Sequence, residues 1–345
     1  MIKKLLTIPV ILLSMGTAQA NNLFDFLEID NTTKTQVAPA DTAELLTLEP
    51  KESEMYPKVS PGGHSLLVLS SKHKDAWISR RSIENGDPLN TVTDDLAALA
   101  SINWLDAKNV SFLSSRTGIL SVWQKPADGE GLMRRVVELN GKLKDVTVLS
   151  DGSVIATRLL RQRQDKHKAM KHTDAFNNWD IAGARSYIVH ISPTGEEKRL
   201  SEGSNPSLSP NGKRVVFSMN IGRSAHLFMM DVDGSNLAQL TDARSVDVQP
   251  TWSSDAKWIA FTSNRGNADL RKKSHSQWDI WAISSEGKGL TQLTMDKARD
   301  GAPSIASDGF VYFHSDRKIS KEVKGQHQVQ GSTGDFHIWK VKLPQ

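Results

Sequence analysis

A sixfold internal repeat is the feature that most constrains the fold of this 345-residue chain. Each copy begins with a short run in which apolar and polar residues alternate. A tight turn follows, and the copy ends in a more apolar run. Turns such as Pro210-Asn211-Gly212 and Ser307-Asp308-Gly309 are typical of hairpins, because Asn and Asp bond their own backbone and Gly tolerates a positive φ. The copies span residues 56–70, 101–115, 145–157, 205–218, 249–263 and 302–315.

Two further strands complete each unit. A third strand is predicted at Leu227–Val232 and Ile280–Ile283, and a fourth ends at Gln239–Asp242 and Gln292–Thr294. Most copies start 44 or 45 residues apart, while two longer spacings of 60 and 53 residues indicate insertions. Four strands in about 40 to 45 residues is the sequence signature of a propeller blade. The sequence therefore predicts an all-β fold, a six-bladed β-propeller of four-stranded antiparallel blades.

Closure of the ring is predicted from the two ends of the repeat. The sixth unit supplies only three strands, the last at Phe336–Val341, while Glu44–Thr47 resembles the ending of a fourth strand. Without a partner, the sixth unit would expose an unpaired edge. We therefore expect an N-terminal strand to close the last blade.

The repeat pattern resembles a known family. The order x-Pro-x-(Trp/Leu)-Ser-Pro-(Asn/Asp)-Gly-Lys, an apolar run, Asp-Gly-Ser and Leu-Thr is similar to the TolB-like propeller repeat, most clearly over residues 205–242 and 249–294. The resemblance covers most of residues 44–343. It implies a role like that of TolB, a periplasmic component of the Tol–Pal envelope system. Prolyl-oligopeptidase relatives and oligogalacturonate lyases share the repeat and are enzymes.

The N-terminus has the features of an export signal. Lys3 and Lys4 precede the apolar run Leu5–Met15, and Ala18-Gln19-Ala20 is a small-residue cleavage site. We expect cleavage after Ala20, a flexible segment over residues 21–42, and a propeller over residues 43–345 without the α/β domain of TolB. The chain has no cysteine, which excludes disulfides. A periplasmic monomer that does not span the membrane is expected.

Charge and motifs limit the function classes. The formal net charge of +4 falls to +2 without Lys3 and Lys4, so no nucleic-acid binding is expected. The ten histidines form no His-Glu-x-x-His or His-x-His motif, and no Gly-x-Ser-x-Gly elbow is present. We therefore expect no cofactor, no metal and no catalytic site. The alternative is a hydrolase or lyase that acts on an anionic saccharide in the central channel.

The insertions predict a binding surface. All three long stretches, near residues 158–180, 264–278 and 316–335, connect second to third strands and should emerge on one face. Residues 158–172 carry a net charge of +5, residues 264–278 carry +3, and residues 316–335 carry +1. An anionic partner, an envelope protein above all, is expected to bind there. The candidate residues are Arg161, Arg163, Lys166, His167, Lys168, Lys171, His172, Trp179, Arg271, Lys272, Lys273, His275, Trp278, Lys318, Lys321 and Lys324.

Other recurrent residues are interpreted as scaffold. Ser-x-Arg recurs at Ser114–Arg116, Ser263–Arg265 and Ser315–Arg317, where a side chain can bond between blades, and repetition usually serves the scaffold. Trp104 and Trp252 share a first-strand position and are assigned to the core. The leading hypothesis is a non-enzymatic interaction platform at the cell envelope, with Leu23–Leu27 as a further partner-binding peptide. A regulatory propeller that once accompanied a hydrolase is the third hypothesis.

Overall fold

The computed structural model of the chain describes residues 36–37, 41–49, 51–96, 101–160, 186–268, 277–319 and 335–344. These residues form six sheets, each built around four antiparallel strands in a meander, and they contain no helix. The predicted six-bladed β-propeller is confirmed. The predicted signal peptide and the peptide Leu23–Leu27 lie outside the described residues.

The first three blades follow the chain from the innermost strand outward. Blade 1 contains β3 (Ser53–Val59), β4 (Ser65–Lys72), β5 (Asp75–Ser82) and β6 (Pro88–Thr93). Blade 2 contains β7 (Ile102–Trp104), β8 (Asn109–Ser114), β9 (Ser121–Pro126) and β10 (Arg134–Glu138). Blade 3 contains β11 (Leu143–Val148), β12 (Val154–Leu159), β13 (Ser186–Ile191) and β14 (Glu197–Glu202).

The other three blades incorporate two N-terminal strands, β1 (Gln36–Val37) and β2 (Glu44–Leu45). Blade 4 contains β15 (Ser204–Leu208), β16 (Arg214–Ile221), β17 (Ser224–Asp231) and β18 (Ala238–Gln239). Blade 5 contains β19 (Asp247–Trp252), β20 (Trp258–Ser263), β21 (Asp279–Ser284) and β22 (Thr291–Gln292), with β1 parallel to β22. Blade 6 contains β23 (Asp300–Ile305), β24 (Phe310–Ser315), β25 (His337–Lys342) and β2.

The N-terminal strand closes the ring as predicted. β2 pairs antiparallel with β25, with Leu45 opposite Trp339. The N–H of Leu46 extends the contact by donating to the carbonyl of Ile338 at 2.8 Å. The pairing begins earlier in the chain than residue 43, because β1 already lies on blade 5. Part of the segment expected to be flexible therefore belongs to the sheet structure.

The hydrophobic core is divided among the blade junctions. Six apolar clusters each combine side chains of two adjacent blades, as where Phe112 of blade 2 packs with Leu67 and Ile78 of blade 1. At the junction of blades 5 and 6, Phe313 packs with Ile280 in the same way. The apolar run of each second strand is buried because both faces of a blade meet a neighbour. This is why those strands show continuous apolar runs rather than simple alternation.

The innermost strands carry proline and a bulge at recurrent positions. Proline is tolerated there because one edge of the innermost strand has no strand partner. The register shifts within five first strands, and each shift includes one residue with φ between 49° and 55°. These five residues are Tyr56, Asp145, Asn205, Gln249 and Ala302.

The bulges form bonds between blades, because a bulged residue leaves its N–H unpaired within the sheet. The N–H of Asn205 donates to Asp145 of the preceding blade at 3.2 Å, and that of Ala302 donates to Gln249 at 2.9 Å. The N–H of Tyr56 donates to Nδ1 of His314 at 3.1 Å, which joins blade 1 to blade 6. Burial, together with Arg299, lowers the pKa of His314 to about 3, which keeps that ring a neutral acceptor.

Three consecutive junctions also share a threonine–carboxylate contact. A threonine at the end of one blade donates to a carboxylate at the start of the next. Thr241 donates to Asp247 at 2.7 Å, and Thr294 bonds Asp300. Each threonine also accepts an N–H from its own third strand. The third pair is Thr47 and Glu54, across the closure of the ring.

The Ser-x-Arg arginines bind carboxylates at the same face. Arg265 pairs with Asp247, and Arg317 pairs with Asp300 at 2.6 Å. Arg116 of blade 2 pairs with Asp95 at 3.2 Å. The three guanidinium groups lie 5.3 to 5.4 Å from the ring centres of Trp123, Trp281 and Trp339. These contacts support the interpretation of Ser-x-Arg as scaffold.

Candidate functional site

The strand ends that flank the three long insertions lie on one face. In each blade concerned, the end of the second strand pairs with the start of the third: Leu159 with Ser186, Ser263 with Asp279, and Ser315 with His337. Equivalent ends of a repeated meander point the same way around a ring. We call the surface at these strand ends the long-connection face.

Most of the residues predicted to form the binding surface lie outside the described residues. These are Arg161, Arg163, Lys166, His167, Lys168, Lys171, His172, Trp179, Arg271, Lys272, Lys273, His275, Lys321 and Lys324. Lys318 is described and its side chain is exposed.

The sequence had suggested that Trp278 lies at the margin of the basic surface, but the structure buries this side chain. It is only 2% exposed and packs in a cluster with Met55, Val248 and Phe336. The reason is its place at the start of a third strand, where Ala225 and Phe336 of other blades are buried in the same way. Trp278 is therefore a core residue.

Part of the basic surplus is neutralised by the scaffold. Arg265 and Arg317 form the ion pairs described above, and both side chains are less than 10% exposed. Arg158 pairs with Glu197 of the fourth strand of the same blade. These three arginines do not contribute free positive charge to the long-connection face.

A cluster of carboxylates surrounds Arg317 at the junction of blades 5 and 6. Arg317 pairs with Asp300 at 2.6 Å and with Asp41 at 2.9 Å. Asp41 also accepts the N–H of Met295, so it ties the N-terminal segment to this junction. Burial acts to raise the pKa of Asp41, but the bonds from Arg317 and Met295 outweigh it and lower that pKa.

Asp279 is the exceptional member of this cluster. Its side chain is fully buried and accepts hydrogen bonds at 3.2 Å from the amide groups of Gln277 and Gln292. Burial raises the pKa of Asp279 to about 8, the bond from Gln277 opposes this, and the nearby charge of Asp300 adds to the rise. At neutral pH this carboxyl group is therefore mainly protonated.

The inner strands of blades 1 to 3 bring a second polar group together. The indole N–H of Trp104 donates to the carbonyl of Lys58 at 2.8 Å, and the amide of Asn103 donates to the carbonyl of Val146 at 2.8 Å. Asp145 of blade 3 also acts electrostatically on Tyr56 and Lys58 of blade 1. Groups two blades apart approach each other only near the axis of the ring. We call Tyr56, Lys58 and Asp145 the axial group.

The axial group has shifted ionisation. Burial lowers the pKa of Lys58, although the charge of Asp145 opposes that change. Burial, and to a lesser extent Asp145, raises the pKa of Tyr56. Tyr56 and Lys58 are partly rather than fully buried, so each retains some surface open to solvent. Sequence reasoning missed this group because a lysine and an aspartate 87 positions apart give no local signal.

The described residues offer neither a metal-ligand cluster nor a membrane-spanning helix. No cluster of three or more His, Asp or Glu side chains in those residues has the arrangement of a metal site. No helix in the described part of the chain is long and apolar enough to cross a membrane.

Comparison with protein families gives a partial match. The model of the TolB β-propeller domain matches residues 175–270, which include the last two strands of blade 3, all of blade 4 and the first two strands of blade 5. The TolB protein of the Tol–Pal system from Francisella tularensis is 25% identical over 113 residues, which cover 33% of this chain and 24% of that protein.

Two other relatives are peptidases. Dipeptidyl-peptidase 5 of Porphyromonas gingivalis is 37% identical over 75 residues, which cover 20% of this chain and 11% of that protein. The uncharacterized peptidase YuxL of Bacillus subtilis is 30% identical over 165 residues, which cover 39% of this chain and 25% of that protein. The chain thus matches a quarter or less of the length of these relatives.

Solved structures of different function share the fold. TolB from Acinetobacter baumannii superposes with a TM-score of 0.51 at 17% identity, over 86% of this chain and 64% of that one. A gluconolactonase from Xanthomonas campestris superposes with a TM-score of 0.54 at 13% identity, over 88% of this chain and 89% of that one. At these identities the likeness concerns the fold alone.

The expectation that the chain is not an enzyme is contradicted by these comparisons. It depended on the lack of catalytic motifs, but peptidases are among the sequence relatives. The physical reason is that the repeated residues build a scaffold, and such a scaffold accepts catalytic groups on its loops or on attached domains. The repeat and the closed ring, with the family match over residues 175–270, show a β-propeller that is similar to the TolB propeller domain.

Proposed function

We propose that this chain is an exported TolB-like propeller that binds an acidic envelope protein through the long-connection face. The observation that carries the proposal is that all three insertions leave the blades at this face. Their sequences contain most of the candidate basic residues. A cluster of positive charge on one face attracts an anionic surface and speeds encounter with it.

The periplasm is the proposed compartment. The support comes from the features of an export signal that ends at Ala20 and from the partial match to TolB of the Tol–Pal system. Cell fractionation followed by N-terminal sequencing tests it. A mature N-terminus at Asn21 in the periplasmic fraction is expected, and an intact Met1 in the cytoplasmic fraction would overturn the compartment.

Capture with charge-reversed variants tests the binding face. The first variant changes Arg271, Lys272 and Lys273 to Glu. The matched control changes Lys213, Lys257 and Lys288 to Glu, since these exposed lysines lie in turns at the opposite ends of the strands. Both variants alter the net charge equally. Cross-linking in envelope extract, followed by mass spectrometry, identifies the captured proteins.

The two variants separate face-specific binding from general charge effects. A partner that the native chain and the control capture equally, and that the Arg271/Lys272/Lys273 variant loses, supports the proposal. Equal capture by all three proteins, or equal loss in both variants, overturns it.

The peptidase relatives favour a second candidate function. In this case the propeller takes part in peptide hydrolysis, as the names of dipeptidyl-peptidase 5 and YuxL indicate for those proteins. Release of amino acids or dipeptides from fluorogenic peptides by the purified chain tests it. Turnover that persists in the charge-reversed variants would support this candidate over the binding function.

A further inference from the structure

The axial group has an unusual distribution of hydrogen bonds. Oδ2 of Asp145 accepts the hydroxyl of Thr157 at 3.0 Å and both the backbone and side-chain N–H groups of Asn205 at 3.2 Å. It also lies 3.4 Å from the ammonium group of Lys144. One carboxylate oxygen is therefore fully committed, while Oδ1 accepts no bond from the part of the chain that the structure describes.

The two hydrogen-bond donors of the axial group, Lys58 and Tyr56, also lack partners among the described residues. The ammonium of Lys58 and the hydroxyl of Tyr56 form no hydrogen bond with any described residue. The carboxylate of Asp145 is near enough to act on both electrostatically, but among the described residues it forms an ion pair only with Lys144. An ammonium group in a partly desolvated position is costly unless an anion pairs with it.

The positions equivalent to Tyr56 and Lys58 in the other first strands carry no charge apart from Asp145. At the two positions that flank the buried residue of each first strand, the other blades carry amides, hydroxyls and one alanine. These residues are Ser101, Asn103, Thr147, Asn205, Ser207, Gln249, Thr251, Ala302 and Ser304. Several of these groups bond the scaffold, as Asn103 bonds Val146 and Gln249 bonds Thr262. The hydroxyl groups of Thr147, Ser207 and Thr251 form no hydrogen bond with a described residue, so they can serve a ligand.

We propose that the axial group binds a small hydroxylated carboxylate. The carboxylate of the ligand pairs with the ammonium of Lys58 and accepts the hydroxyl of Tyr56, and a hydroxyl of the ligand donates to Oδ1 of Asp145. Charge-assisted bonds of this kind are the stronger hydrogen bonds in proteins. None of its three residues belongs to the long insertions that carry the proposed envelope-protein contact.

Calorimetric titration with four defined probes tests the site. Sodium gluconate and sodium glucuronate carry both functional groups, acetate carries only the carboxylate, and glucose carries only hydroxyls. We expect gluconate or glucuronate to bind, and acetate and glucose to bind at least about tenfold more weakly, since each lacks one of the two interactions.

Variants locate the binding. Lys58→Gln should weaken binding of the two sugar acids at least about tenfold, because it removes the only uncommitted cation of the group. Asp145→Asn should weaken it less, since the amide keeps one oxygen. Lys257→Gln, an exposed turn lysine, is the matched control and should bind as the native chain does.

Several outcomes would overturn the proposal. The first is that neither gluconate nor glucuronate binds at concentrations from 20-fold the protein concentration up to roughly 10 mM, which means a binding free energy weaker than about 3 kcal/mol. The second is that acetate binds as tightly as the sugar acids. The third is that Lys58→Gln leaves binding of the sugar acids unchanged. Thermal unfolding of each variant shows whether it is folded. If Lys58→Gln does not fold, Lys58→Met and Tyr56→Phe replace it, and unchanged affinity in both likewise overturns the site.

Discussion

Thr241 joins two blades through one hydroxyl group. It accepts the N–H of Leu227 at 3.0 Å in its own blade and donates to Asp247 of the next blade at 2.7 Å. The hydroxyl is buried, so loss of either bond leaves a polar group without water. The Leu-Thr pair that recurs at the ends of blades 4, 5 and 6 is therefore explained at this junction by the two bonds of the threonine hydroxyl.

Removal of this hydroxyl should destabilise the ring. Thr241→Val keeps the shape of the side chain but leaves Asp247 and the Leu227 N–H without that partner. We expect the free energy of unfolding to fall by about 1 to 3 kcal/mol in urea denaturation. Thr194→Val, at an exposed turn, is the control and should change it by less than about 0.5 kcal/mol. Equal effects of the two substitutions would contradict the assigned role of Thr241.

Asp279 should make the free energy of unfolding decrease as pH rises toward the alkaline range. Its pKa in the folded chain is about 8, against an ordinary value of 3.8. Between these values the folded state binds one proton more than the unfolded state, so the free energy of unfolding decreases as pH rises. The stabilising effect is complete below the ordinary pKa and is lost as pH passes through about 8.

Urea denaturation from pH 5 to pH 9 measures this effect. Asp279→Asn removes the titrating group and should flatten the decline, so that the variant loses less stability than the native chain between pH 6 and pH 9. Asp94→Asn, an exposed aspartate, is the matched control and should follow the native curve. Because the lowered pKa of His314 acts in the opposite direction below pH 6.5, the comparison with the variant decides the result. Equal slopes for the native chain and Asp279→Asn above pH 6.5 would show that Asp279 is ionised in the fold.

The short strand β2 has contacts that go beyond its own two residues. Only Glu44 and Leu45 are paired as a strand, yet they cover the outer edge of β25, and Leu46 is buried against Tyr312 and Ile338. The following residue Thr47 then bonds Glu54 of blade 1. One short segment thus completes blade 6 and also connects it to blade 1.

Deletion of this segment should open the ring. Removal of residues 41–50 uncovers the edge of β25 and breaks the Arg317–Asp41 ion pair. We expect Tm to fall by more than about 10 °C, because both an apolar cluster and a junction are lost. Deletion of residues 21–30, which removes the same number of residues, is the length control. A Tm equal to that of the control would contradict closure by the N-terminal strand.

Across the whole molecule, the junctions differ between the two halves of the ring. The threonine–carboxylate contact recurs at the junctions of blades 4 and 5, 5 and 6, and 6 and 1. Lys58 and Asp145 lie instead in blades 1 and 3, whose sequences depart further from the repeat. Departures from a repeated pattern are expected where function rather than scaffold selects the residue.

Salt dependence provides a test of the long-connection face at this scale. If an acidic partner binds there, its dissociation constant should rise with sodium chloride concentration, because exposed charges are screened within about 8 to 10 Å. The dependence should weaken in the Arg271/Lys272/Lys273 variant and persist in the Lys213/Lys257/Lys288 control. Affinity that is independent of salt in the native chain would exclude a binding surface dominated by charge.

The sequence by itself determined the number of blades, the strand order, the tight turns and the closing strand. These follow from local patterns, since alternation, apolar runs and Asn-Gly or Asp-Gly turns act over a few residues. It also indicated that Ser-x-Arg and the Trp104 and Trp252 positions belong to the scaffold, because repetition is visible without any knowledge of contacts.

Only the tertiary structure decided which charges are neutralised and which side chains meet. Arg317 pairs with Asp41, which lies 276 positions earlier. Lys58 is near enough to Asp145, two blades away, for the two charges to interact. Trp278 is buried rather than exposed. The physical reason is that pairing, desolvation and burial depend on distances set by ring closure, and these distances leave no trace in local sequence.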